Sequence, residues 1–396
     1  MAMNMENIRS LIRTNRDVPA IPFIAIGAVL LAVGLPAAGW VFLKGHEAVY
    51  GLTRQVPWGL LISTYAYFAI TSTGLAFIGG LGHAFGVKEF AGMSRRIVLL
   101  AFIVLLAGFT QIGMELGHPF RLMYLMVLSP NFDAPIVWMG LFYTVELVIL
   151  AVELLLVFNL SRTGRRLSAL VGFLALLVGV VAAGNLGFVF GSLTARPFYH
   201  GIYFPAFLVV SGIAGGAALL LVIYNVVYKL RIPGRYHRSM AALGRLMGGC
   251  VAVMIFLMAW KVATSLYTSP REEAVAMTAL AAGPLALNFW VGEILLALVI
   301  PMALLVSGGL ENMKTLGLAG LTFLVGMFFT RFDFIIAGQL PPMRAGLAGA
   351  GVETVQGLVP YTPAAGEWMI FALGLGLFFF LYFMSERYLI LEDTPH

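Results

Sequence analysis

The chain has 396 residues, of which 61% are hydrophobic and only 11% charged, with a mean hydropathy of +0.96; that composition excludes a soluble domain and predicts many membrane crossings. Its formal charge of +6 falls in short loops, as membrane topology requires, so nucleic-acid binding is set aside. A single cysteine, Cys250, excludes a disulfide framework, a cysteine-ligated iron–sulfur cluster and a structural zinc site built from this chain.

Residues 1–19 are polar and basic, carry no cleavage site after a short apolar core, and read as a cytoplasmic leader. Apolar runs of about 20 residues then predict ten spans, at 20–43, 57–84, 97–117, 135–159, 167–192, 202–228, 246–267, 285–307, 315–338 and 366–385. Loops on the side of the termini collect most of the basic residues, among them Arg95, Arg96, Arg165, Arg166, Arg235 and Arg238, which makes that side cytoplasmic. Phe142-Tyr143-x-x-Glu146 recurs 147 residues later as Phe289-Trp290-x-x-Glu293, and the same offset carries the starts of spans 2, 3 and 5 close to those of spans 6, 7 and 9. The expected fold is therefore an all-α integral membrane protein with two parallel-repeat four-helix bundles and two peripheral helices. Its divisions are 20–56 (first span and outer loop), 57–195 (first bundle), 196–340 (second bundle) and 341–396 (outer loop, last span and tail). The Gly/Pro-rich stretch before the last span reads as a lid or docking surface.

Ionisable groups inside the hydrocarbon are costly and mark function. In the first unit, Glu115, His118 and Arg121 cluster at the end of span 3, followed by Ser129, Asn131, Asp133 and Trp138, with Trp58 opening span 2. A quinone headgroup needs a donor to each carbonyl, a proton acceptor and apolar walls. His118 exchanges protons near neutral pH, Glu115 accepts one, and Arg121 holds charge; the other reading is an interfacial loop that meets water and lipid headgroups. Glu146 and Glu153 share one helical stripe, as stepping stones for protons or as hydrogen-bonding groups between helices. In the second unit, Lys261, Glu293 and Arg331 lie about 9, 12 and 10 Å below the outer end of their spans at 1.5 Å per residue, with Asp333 and Glu367 nearer the surface. They form a proton path or a packing network, with Glu293 expected to be answered by Lys261 and Arg331, and Glu146 to lack a basic neighbour. No two histidines face one another deep in the spans, as a bis-histidine haem requires; a haem held by His118 with His46 or His200 is the remaining alternative.

Together, Pro57-Trp58-Gly59, Glu115-x-Gly117-His118, Phe289-Trp290-x-x-Glu293, the span of Arg331, and Tyr361-x-Pro363-x-x-x-Glu367 resemble the NrfD/PsrC (polysulfide reductase membrane subunit) family. Within it, the ten-span membrane subunits of hydrogenase-2-type and Dsr sulfur-metabolism complexes are most similar. The resemblance implies a quinone-reactive subunit of a respiratory oxidoreductase complex in the inner membrane of a bacterium or archaeon, active only within that complex. It implies menaquinone or ubiquinone as substrate near the outer face of the first bundle, and no intrinsic haem or iron–sulfur cluster. The implied partners are a ferredoxin-like iron–sulfur subunit and, beyond it, a multihaem cytochrome c or a catalytic reductase or hydrogenase subunit. Glu115, His118 and Arg121 become quinone-site residues, and Lys261, Glu293, Arg331 and Glu367 polar residues of the second bundle. Many relatives carry Asp-x-Gly-Arg where this chain has Glu115-x-Gly117-His118, and a histidine late in span 5 where it has Asn185. A secondary transporter and a haem b cytochrome are the rival readings, and proton translocation stays open.

Overall fold

The computed structural model describes residues 18–116, 128–158, 162–267, 271–342 and 354–392. Among them are ten helices long and apolar enough to cross a membrane: α1 (Ala20–Lys44), α2 (Leu60–His83), α3 (Ser94–Glu115), α4 (Pro135–Val157), α5 (Arg162–Gly191), α6 (Tyr203–Val227), α7 (His237–Tyr267), α8 (Asn288–Ser307), α9 (Met313–Ala337) and α10 (Ala365–Tyr388). Helix bounds follow local chemistry. Pro135, whose missing N–H is free at a helix start, opens α4, and the Asn312 side chain accepts from the backbone N–H groups of Lys314 and Thr315 to cap α9. Gly45, at φ +83°, turns the chain out of α1, a conformation open to glycine at no steric cost. The largest departure from the sequence reading is α7, which begins at His237 rather than near 246; its first turns carry His237, Arg238 and Arg245 and so fall outside any apolar window.

Helix pairing gives two rings. α2 packs on α3, α3 on α4, α4 on α5 and α5 back on α2; α6 packs on α7, α7 on α8, α8 on α9 and α9 back on α6. The rings meet where α2 crosses α6, with further contacts of α2 on α9 and of α5 on α6. Gly74 lies against Gly212 and Gly216 so closely that a Cβ on Gly216 would collide with the Gly74 carbonyl carbon. Glycine is required at that crossing, because small residues let backbones meet where lipid supplies no hydrophobic drive. α1 and α10 lie outside both rings, antiparallel to each other, with Gly27 and Gly34 against Phe380 and Leu373 and Gly376 against Leu31; α10 then packs on α3 and α2.

The ends of α1 and α10 define two faces: a terminal face bearing Ala20 and Tyr388, and a distal face bearing Lys44 and Ala365. On the terminal face, Arg96 meets Glu386 through two bonds of 2.7 and 3.2 Å, and Tyr382 donates to the same carboxylate. The Arg96 guanidinium lies 4.6 Å from the centre of the Tyr224 ring, which ties α3, α6 and α10 together. Arg95 donates to the carbonyls of Val157, Ile390 and Glu392. Both arginines, read from sequence as loop charges, are buried in the first turn of α3.

Helix α8 is π-wound from Asn288 to Val299 and α-wound from Ile300 to Ser307. Pro301, which has no N–H to return to the preceding turn, stands where the winding changes. The π turn carries Glu293, and such segments recur at functional sites.

Candidate functional site

Three polar groups occupy the interior. The first is on the distal face, where α2, α3 and α10 converge. The Glu367 carboxylate accepts from the backbone N–H groups of Gly51 (2.9 Å), Leu60 (3.2 Å) and Ala364 (2.9 Å) and from the Tyr361 hydroxyl (2.5 Å). It therefore satisfies the orphan donors at the starts of two helices, α2 and α10. Pro57-Trp58-Gly59 is explained by this contact: a Cβ on Gly59 would lie 2.5 Å from Glu367 Oε1 and closer still to the Tyr361 hydroxyl. The Gln339 amide, at the end of α9, accepts from the Trp58 N–H (3.1 Å) and donates to the Trp58 carbonyl (2.9 Å), while the Trp58 ring meets Phe190 edge-on. Arg196 donates to the carbonyls of Gly338, Gln339 and Pro341 and to that of Gln55, clamping the distal ends of both rings.

Glu115 belongs to the same group. Its Oε2 is buried and has no hydrogen-bond partner among the described residues, and it lies close enough to Glu367, Tyr50 and Tyr361 to interact electrostatically with each. Tyr50 donates to the Met114 carbonyl at 2.9 Å. Burial first, and then the carboxyls of Glu115 and Glu367, push the Tyr50 phenol up; burial and Glu367 do the same for Tyr361. Both phenols are thus held as donors. His118 and Arg121 lie outside the described residues. Ser129 and Asn131 are exposed or at the rim, the Asn131 side chain accepts from the Asp133 N–H, and Trp138 packs on Phe132 and Phe142 while its indole donates to the Phe132 carbonyl. These three shape the turn into α4.

The second group is a column through the first ring. The buried stripe of α4 carries Tyr143, Glu146 and Glu153. Thr73 donates to Glu146 Oε1 at 3.4 Å, Glu146 Oε2 has no partner among the described residues, and the ring of Tyr65 meets that of Tyr143 edge-on. Glu153 Oε1 is 2.7 Å from His83 Nδ1 at the terminal end of α2. Space for the two carboxyls comes from α5, where Gly179 faces Glu146 and Gly172 faces Glu153. The matching seven-residue intervals on α4 and α5 were a sequence signal for this pairing.

The third group is in the second ring and differs from the sequence reading. Lys261 answers Glu273 rather than Glu293: its Nζ donates to Glu273 Oε1 at 2.7 Å and to the Phe198 carbonyl at 2.8 Å, and Ser265 donates to the same carboxylate oxygen. Glu273 lies on a short helix, Arg271–Ala281, at the distal face, twelve residues beyond Lys261 on a different element, where no helical spacing could have linked them. The Lys261 ammonium is also 4.9 Å from the centre of the Phe198 ring. Arg331 donates to Ser211 at 2.6 Å, and its electrostatic neighbours are Tyr143, Glu293, Tyr203 and Tyr67, so it stands between the rings. Asp333 accepts from the Asn288 amide at 3.3 Å. Glu293, Asp333 and Lys261 line one cavity with Tyr203, Phe289 and Phe334, offering about 30 Å³ to the centres of water-sized molecules. Glu367, expected with this set, belongs instead to the distal group above. Among the described residues no three His, Cys, Asp or Glu side chains converge as metal ligands.

Known proteins give this architecture a context. The chain is 24% identical over 366 residues to a selenate reductase subunit of Mesobacillus selenatarsenatis, covering 83% of this chain and 84% of that protein. It is 24% identical over 380 residues to the Hdr-like menaquinol oxidoreductase integral membrane subunit of Archaeoglobus fulgidus, covering 91% and 94%. The sequence pattern of the family described as polysulphide reductase, NrfD, matches residues 48–342. That match begins just after α1 and ends just after α9, so it takes in both rings and leaves the α1–α10 pair outside: the chain belongs to the NrfD family.

Proposed function

We propose that this chain is the quinone-reactive membrane subunit of a multi-subunit respiratory oxidoreductase, exchanging electrons between menaquinone and an iron–sulfur partner docked on the distal face. The positive-inside distribution of Lys and Arg supports a cytoplasmic terminal face and an external distal face. The observation that carries the reading is Glu115, a half-buried residue whose Oε2 is buried with no hydrogen-bond partner among the described residues, beside two phenols at the distal rim. Quinol oxidation releases two electrons and two protons; the electrons pass to the partner's cluster, and Glu115 takes a proton from the quinol hydroxyl. His118 and Arg121, two and five residues past the end of the described part of that segment, are the residues assigned to the second proton and to the negative charge that develops on the ring. The relatives named as a menaquinol oxidoreductase membrane subunit and a selenate reductase subunit support this reading.

The test is quinol oxidation by the complex purified in mild detergent. Loss of a general base costs about 100-fold or more in rate, so Glu115→Gln is expected to lose at least that while the subunits stay associated and the melting temperature holds. Full turnover in the assembled variant removes Glu115 from the reaction.

A further inference from the structure

The second ring holds more negative than positive charge. Lys261 is matched by Glu273 at 2.7 Å. The remaining groups that face one another are Glu293 and Asn288 from α8, Arg331 and Asp333 from α9, Tyr203 and Ser211 from α6, and Tyr67 and Tyr143 from the first ring. One guanidinium and two carboxyls remain, all three nearly inaccessible, with Arg331 2%, Asp333 1% and Glu293 6% exposed. Glu293 interacts with Arg331 and with Asp333, whereas the hydrogen bond to Asp333 comes from an uncharged amide. Asp333 Oδ2 and Arg331 Nη1 are buried without a hydrogen-bond partner among the described residues. Both carboxyls border the cavity, which has room for water. Two interacting carboxyls that line one small buried cavity do not both ionise readily; such a pair keeps one proton between them.

The geometry points to Glu293 and Asp333 as a carboxyl pair that binds a single exchangeable proton, balanced by Arg331 and opening through the water-sized cavity toward the distal face. Binding forms one O–H bond on either carboxyl; release hands the proton to cavity water and leaves both carboxylates charged. Met277 and Leu280 of the short distal helix line the cavity, and the Lys261–Glu273 pair ties that helix to α7. The site is in the ring that does not hold Glu115, and it does not depend on the quinone reading.

Infrared difference spectroscopy on the purified full chain in lipid, titrated with acid and base in H₂O and D₂O, tests it without turnover. Among the carboxyl bands that titrate, the wild type is expected to show a deuterium-sensitive protonated-carboxyl band that is lost in Asp333→Asn and in Glu293→Gln alike, because the proton is held between two carboxyls and neither variant keeps both. A band retained in either variant overturns the shared proton. Glu293→Asp and Asp333→Glu keep two carboxyls and are expected to keep the band, which guards against a folding defect in the amides; its loss in either also overturns the proposal. Exchanging potassium for sodium is expected to leave the band unchanged, and its disappearance would identify a metal cation, not a proton, as the ligand. Glu115→Gln is expected to retain the band whatever its effect on quinol oxidation.

Discussion

A carbon added at Gly172 would lie 2.8 Å from Oε1 of Glu153 and 3.1 Å from Cβ of His83, and one added at Gly179 would lie 2.9 Å from Oε1 of Glu146. Alanine is otherwise the better helix residue by about 1 kcal/mol, so any destabilisation by Gly172→Ala reports the carboxylate pressed against it. Overpacking of this kind costs about 1–3 kcal/mol. Gly172→Ala is expected to lower the melting temperature in detergent, and adding Glu153→Asp, which withdraws the carboxylate by one methylene, is expected to restore part of the loss. An unchanged melting temperature in the single variant would place Glu153 elsewhere.

Glu367 and Glu115 are neighbours with different burdens. Glu367 accepts four hydrogen bonds, three of them from backbone N–H groups; in Glu367→Gln an NH₂ group faces donors, at a cost of about 2–4 kcal/mol. Glu115 Oε2 accepts none among the described residues, so Glu115→Gln is expected to melt close to wild type. Thermal unfolding of the two variants side by side decides this, and an equal loss in both removes the distinction.

The Lys261–Glu273 pair is 8% and 11% exposed at its side chains. Removing one partner of a buried pair costs about 3–5 kcal/mol because the other charge stays behind. Lys261→Met is therefore expected to destabilise strongly, and Lys261→Met with Glu273→Met to recover most of the loss. A double variant no better than Lys261→Met shows that the two do not act as a pair.

At the terminal face, burial raises the Glu392 carboxyl, but the Tyr228 hydroxyl and the Arg235 guanidinium, each at 2.7 Å, outweigh it and hold the group below the usual carboxylate range. A depressed carboxyl stabilises the fold above its unfolded value, about 4.3, and the contribution is lost as the pH falls through the folded value. The difference in melting temperature between wild type and Glu392→Gln is expected to be constant from about pH 7 to pH 5 and to close toward pH 3. A difference that widens on acidification reverses the assignment.

The spans were legible because a 20-residue apolar run has few other fates, and α7 was misplaced because its first turns carry charge. The stripe of Glu146 and Glu153 was legible because helical period alone sets it. Their partners were not: Thr73 and His83 belong to α2, and which α2 residue meets which α4 residue depends on packing register, which a residue pattern does not state. Lys261 was drawn toward Glu293 by similar depth, but depth does not choose between a facing helix and a surface helix, and Glu273 was the nearer acid. Arg196, which holds four carbonyls, gave no signal beyond its place beside Pro197, since carbonyl acceptors are invisible in a residue pattern.

The glycine-lined contact of α1 with α10 joins helices from opposite ends of the described fold. α1 leaves the ribosome before the other nine and α10 after them, and among the described residues α10 is the only long helix with which α1 makes an extensive contact. During biosynthesis α1 therefore waits in lipid with Gly27 and Gly34 uncovered until Phe380 and Leu373 arrive. All eight ring helices are synthesised before that docking, and a chain that stops short of Ala365 has a first helix without its partner, a start of α2 without Glu367 and a buried Arg96 without Glu386.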